Sequence, residues 1–147
     1  MRRTTVALLA TCLLLAGAAV GCTKSYEEWV EECATALTER TRSDSTDTPT
    51  LGEAEERVDA LDKTLAGMVR SGYAGVAKDA SDAVEKKAKE VERDAKEAGE
   101  RRPEACEPLL KVDYTALLMA RTIGGLGWTD GDGEFDKNKM LEDSLDD

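Results

Sequence analysis

The sequence contains no histidine. That removes the commonest general base, the commonest metal ligand and every Ser-His or Cys-His nucleophile arrangement. Aromatic residues make up 4% of the chain, with a single phenylalanine. Few rings are therefore available to build the sugar-binding cleft that a pair of glycosidase carboxylates requires. The four cysteines show no Cys-x-x-Cys spacing, so a thioredoxin-like redox pair is not expected. A phosphate loop is also missing. Gly124-Gly125-Leu126-Gly127 follows a helical stretch and not a strand, and reads as a helix stop rather than a dinucleotide cradle. These absences point away from an enzyme.

Large aliphatic side chains are scarce too. After Cys22, about one residue in six is Leu, Ile, Val or Phe, below the roughly 20% under which a highly charged chain tends toward disorder. Alanine offsets part of the deficit, because Ala-rich helices pack closely. A modest core with long solvated stretches is expected.

What is present begins at the N-terminus. Arg2 and Arg3 precede an apolar run from Val6 to Val20, closed by Gly21-Cys22. A basic start, an apolar centre and a small residue before the cut are the anatomy of a signal peptide. The apolar run, at about 15 residues, is shorter than the roughly 17–25 that span a bilayer. Ala19-Val20-Gly21-Cys22 resembles the lipobox of bacterial lipoproteins, in which a diacylglyceryl group is attached to the cysteine sulfur before cleavage. Ala19 departs from that family, where leucine is commonest at this position. The resemblance implies removal of residues 1–21, lipidation of Cys22, a lipid-anchored N-terminus over 22–24, and residence on the extracytoplasmic face of the cell membrane. In style the chain is similar to the small lipoproteins of Gram-positive, actinobacterial cells.

The formal charge is −11, and about −13 once the two N-terminal arginines are gone. Nucleic acid is excluded as a partner, since its phosphates would repel such a chain. A face pressed onto anionic lipid is disfavoured for the same reason, so the membrane contact is expected to be the lipid alone. Two acyl chains suffice for stable anchoring, each buried CH₂ contributing about 0.8 kcal/mol. The remaining partner class is another envelope protein.

Cys12 falls in the export segment and Cys22 at the lipid site, leaving Cys33 and Cys106. An even pair in an exported protein reads as one disulfide. By chain entropy it would stabilise the fold by roughly 4 kcal/mol, a large share of a typical total of roughly 5–15 kcal/mol.

The pattern from residue 25 to 147 predicts one all-α domain, a small bundle of three or four main helices with a short C-terminal one. Ser25 and Glu28 form a capping box, opening a helix over about 25–40 with Tyr26, Trp29, Val30, Cys33 and Leu37 on its apolar face. Residues 41–50 are all turn or linker types and read as a mobile loop. Thr50 and Glu53 make a second capping box. From there Leu51, Ala54, Val58, Leu61, Leu65 and Met68 form a heptad-like seam. Ser71–Gly75 breaks it, and an alanine-rich helix follows from about Val76 to Ala98, the two forming an antiparallel hairpin. Pro108 suits the first turn of a fourth helix, the most apolar segment of the mature chain. A short helix from about Asp136 to Leu145, within an acidic C-terminal segment, ends the chain.

Two local features carry functional expectations. Asp130, Asp132, Glu134, Asp136 and Asn138 alternate like the start of an EF-hand Ca²⁺ loop. The match then fails, with Phe135 where glycine is wanted and Leu141 where the bidentate acid is wanted. The readings are an acidic turn whose Asp136 caps the last helix, or a weak Ca²⁺ site of roughly 10⁻⁴–10⁻³ M. Trp128, flanked by glycine, is expected to be exposed and to contact a partner, whereas Tyr26 and Trp29 are expected in the core. The overall expectation is a membrane-anchored, non-catalytic binding or accessory protein, with a Ca²⁺-stabilised module as the alternative.

Overall fold

The computed structural model describes residues 24–41, 47–97 and 102–145. The expected signal peptide over 1–21 and the expected lipidation site Cys22 lie outside the described residues, as do 42–46 and 98–101. The domain is all-α: α1 (Tyr26–Arg40), α2 (Leu51–Arg70), α3 (Ala74–Glu97), α4 (Lys111–Gly125) and α5 (Lys137–Leu145), with a 3₁₀ turn at Glu104–Cys106. Among the described residues no helix is long and apolar enough to cross a membrane.

Both capping boxes form. The Glu28 amide donates to Ser25 Oγ at 3.2 Å, and the Ser25 amide donates to the Glu28 carboxylate at 2.6 Å. At α2 the Thr50 amide and hydroxyl both donate to the Glu53 carboxylate, at 2.8 and 2.7 Å. These bonds, the backbone one foremost, hold the Glu53 carboxyl below the usual range. Each cap contributes about 1 kcal/mol, which matters where the apolar supply is small.

Cys33 and Cys106 are joined, with Cα atoms 4.6 Å apart, and both are fully buried. The bond ties α1 to the 3₁₀ turn inside one apolar cluster, which also takes in Leu37, Ala54, Val91, Leu109 and Leu117. A second cluster gathers Leu61, Met68, Ala77, Ile123 and Met140 from α2, α3, α4 and α5, with Trp128 from the turn after α4. α4 runs through both. It is the most buried helix, as its composition predicts, and passes from the first cluster at Leu117 and Leu118 to the second at Ile123. Ten residues separate Asp113 from Ile123, about 15 Å of helix.

Three expectations are corrected here. Pro108 is not in the first turn of α4. The chain is drawn inward at Cys106 and again at buried Leu109, so the helix starts only at Lys111, with Leu110 as its N-cap. Tyr26 is not core. It is 41% exposed, because it is the first residue of α1 and its hydroxyl reaches out to α4. The described part of 41–50 is anchored rather than free: Thr41 and Pro49 are buried and Asp47 is ion-paired.

Candidate functional site

Trp128 overturns the expectation of an exposed contact residue: it is 1% exposed. The local cause is the way α4 stops. Leu126 is the C-cap, Gly127 takes φ +79°, and the Trp128 amide donates back to the Ile123 carbonyl at 3.2 Å. This is a Schellman turn, whose left-handed glycine folds the next residue onto the helix. The indole thus lies in the second cluster. Its Nε1 donates to Asp143 at 3.0 Å, fixing α5.

The acidic run that follows is a tight hairpin closed by a bridge between Thr129 and Phe135. Asp130 accepts the amides of Asp132 and Glu134 at 3.0 and 2.9 Å. Asp136 accepts the amides of Asn138 and Lys139 at 2.8 and 3.4 Å and so caps α5. Asp130 and Asp136 are thereby engaged in shaping the backbone. Among the described residues no three aspartate, glutamate or cysteine side chains are grouped so that they could hold a metal ion.

Two arginines missing from the sequence-level expectations lie in the interior. Arg57 is 4% exposed and Arg121 fully buried. Arg57 donates to the Asp47 carboxylate at 2.7 Å and to the Ala120 carbonyl at 3.1 Å. Arg121 donates to the Asp47 carbonyl at 2.5 Å and to the Thr41 hydroxyl at 2.8 Å. Burial pulls the Arg121 pKa down, and the Asp47 carboxylate opposes that. The knot joins the end of α1 and the approach to α2 to the middle of α4. Spacing could have revealed Arg57, which falls three residues after Ala54 and four before Leu61, on the buried face of α2. Beside the knot is a polar cleft of about 290 Å³, where Glu53, Glu56, Asp132 and Glu134 surround the Arg57–Asp47 pair. Gly133, at φ +82°, closes over it. A Cβ there would lie 3.1 Å from Arg57 Nη2.

An apolar groove of about 480 Å³ lies where the end of α2, the start of α3 and α5 meet. Met68, Val76, Leu141, Tyr73 and Leu145 line it, with Lys137 on its edge. A second Schellman turn builds its lip: Gly72 takes φ +88° and the Tyr73 amide donates to the Met68 carbonyl at 2.9 Å. Unlike Trp128, the residue folded back here stays on the surface, with Tyr73 64% and Leu145 76% exposed.

At the other end of α4, the Tyr26 hydroxyl donates to the buried Asp113 carboxylate and accepts the Leu110 amide at 3.2 Å. The bond to Asp113 raises the Tyr26 pKa above its ordinary value. Nearby, the Arg102 guanidinium stacks on the Tyr114 ring at 4.3 Å and donates to the Leu109 carbonyl at 3.0 Å.

The fold and its openings define a disulfide-clamped helical bundle with an apolar groove at the end of its hairpin. Compared with known proteins, the chain matches no protein-family model, no curated protein and no solved structure.

Proposed function

We propose that the chain is a lipid-tethered, non-catalytic binding or accessory protein of the cell envelope. It is held through Cys22 on the extracytoplasmic face and meets an apolar segment of another envelope protein through the groove between α2, α3 and α5. The observation that carries this reading is the position of the groove. Tyr26, four residues from the tether, is bonded to the start of α4. Met68, Val76 and Leu141 of the groove pack in the cluster at the far end of α4. A tether at one end would leave the other facing outward. Exposed apolar side chains grouped in a concave site are the usual form of a contact surface. The charged face of α3, by contrast, is a solvated surface of exposed pairs such as Lys78–Asp82, which water and salt screen.

The test is capture from native membranes with the anchored protein as bait. A Tyr73→Asp/Leu145→Asp variant should lose proteins that the wild type captures, with its melting temperature unchanged. A Lys86→Ala/Lys89→Ala variant on α3 should retain them. Equal capture by all three proteins would refute the groove as the contact surface.

A further inference from the structure

Six large apolar side chains are well exposed among the described residues, and they fall into two groups. Val69, Tyr73 and Leu145 are at the groove end. Tyr26, Leu110 and Val112 are at the start of α1 and α4, with Leu110 64% and Val112 68% exposed. We infer that this second group is seated on the lipid bilayer at the boundary between headgroups and acyl chains, so that the bundle is held in one orientation and not merely leashed. The inference rests on the tether at Cys22 proposed above.

The length of chain decides the occupant. Three residues, Thr23, Lys24 and Ser25, link Cys22 to Tyr26, and the four steps span at most about 14 Å even if fully extended. Tyr26 therefore cannot leave the neighbourhood of the membrane surface once Cys22 is lipidated. The start of α4 is bound to go with it, because the Tyr26 hydroxyl is bonded to both Leu110 and Asp113. Leu110 and Val112 are thus brought to within reach of the bilayer by covalent and hydrogen-bonded connections, with their apolar side chains uncovered. The residue types suit that depth. Tyrosine, with an apolar ring and a polar tip, is enriched at membrane interfaces. Lys111 adjoins the group and can extend its ammonium group toward phosphate while its stem lies on apolar surface, whereas Lys24 is held by Glu32 at 2.6 Å over the Trp29 ring. The strong net negative charge works against anionic lipid, so the contact is apolar in origin. It should be present on neutral vesicles and weaken as anionic lipid is added. This adds a second contact to the lipid-only attachment that composition suggests.

The experiment uses the full lipidated protein with a fluorophore on a Lys111→Cys variant, and a Tyr73→Cys variant as the far-end reference. Each is reconstituted in phosphatidylcholine vesicles containing lipids spin-labelled near the headgroup. Intact mass reports acylation at Cys22, and flotation reports vesicle binding. The expected result is a blue shift and quenching of the label at position 111, no quenching at position 73, and loss of the quenching at 111 in a Leu110→Ser/Val112→Ser background that still floats. An acylated, floating protein whose label at 111 stays unquenched would overturn the seating while leaving the tether intact. A protein without acyl at Cys22 would overturn both. Shielding at 111 in native membranes but not in protein-free vesicles would place a protein on this surface and overturn the lipid as its occupant.

Discussion

The indole of Trp128 donates to Asp143 at 3.0 Å, so the residue folded back by Gly127 pins the last helix to the bundle. α5 is nine residues long with one buried side chain, Met140, and could not persist by itself, since isolated helices shorter than about 12–15 residues are marginal in water. Trp128→Ala should cost about 3–5 kcal/mol, as expected for a large side chain removed from a core. Trp128→Phe keeps most of the apolar body and loses the bond to Asp143, at roughly 1 kcal/mol. Urea unfolding checks both. An alanine variant as stable as the wild type would show that the indole is not part of the core.

Asp47 and Arg57 should respond unequally to substitution. The Arg57 side chain is 3% exposed and that of Asp47 32%, and the Asp47 carboxylate also acts on buried Arg121. Asp47→Asn leaves two interior guanidiniums with less compensation and should cost about 3 kcal/mol. Arg57→Met removes the buried cation and leaves the Asp47 carboxylate, which is partly open to water, and should cost less. Gly133→Ala, forced into a left-handed backbone against Arg57, should cost about 1–2 kcal/mol. Chemical denaturation of the three variants gives the order, and Arg57→Met proving the most damaging would contradict this account of the knot.

Much of the frame is legible in the sequence, because local signals set it. Ser25/Glu28 and Thr50/Glu53 mark helix starts that the structure reproduces to the residue. Counting cysteines pairs Cys33 with Cys106. What is not legible is decided by contacts far apart in the chain. Tyr26 shares the helical spacing of core residues, yet its hydroxyl is claimed by Asp113, 87 residues away. Arg121 reads as a charge to be solvated, and only its surroundings from α1 and the 47–50 segment make burial tolerable. Trp128 is the instructive case. Glycine at the helix stop followed by a large apolar residue is itself the signature of a Schellman turn with its hydrophobic contact, and it outweighs loop position as a guide to exposure.

The Tyr26–Asp113 bond carries a pH dependence. Its folded-state pKa lies above the ordinary value near 10 because Asp113 holds the phenol proton. A group whose pKa is raised on folding contributes stability that is complete below the unfolded value. That stability is lost as pH rises through the folded value. Tyr26→Phe should therefore cost about 1–2 kcal/mol near neutral pH, and its deficit should shrink above about pH 10. Thermal melts of both proteins across the alkaline range test this. A deficit constant with pH would contradict it.

Asp130 holds the hairpin by two backbone amides. Asp130→Ala should destabilise the protein by about 1–2 kcal/mol, and to the same extent with calcium or with a chelator. Melting curves under the two conditions separate a turn-forming acid from a cation ligand. A wild type that calcium stabilises and an Asp130→Ala variant that it does not would establish the ligand role instead.

The proposed tether underlies both the proposed outward-facing groove and the proposed seating of the start of α4, and acyl labelling tests it most directly. Cells growing with a labelled fatty acid and producing the wild type or Cys22→Ala should show label on the wild type only, with the variant released from membranes or left unprocessed. Undiminished labelling of Cys22→Ala, or an unlabelled wild type, would contradict the account.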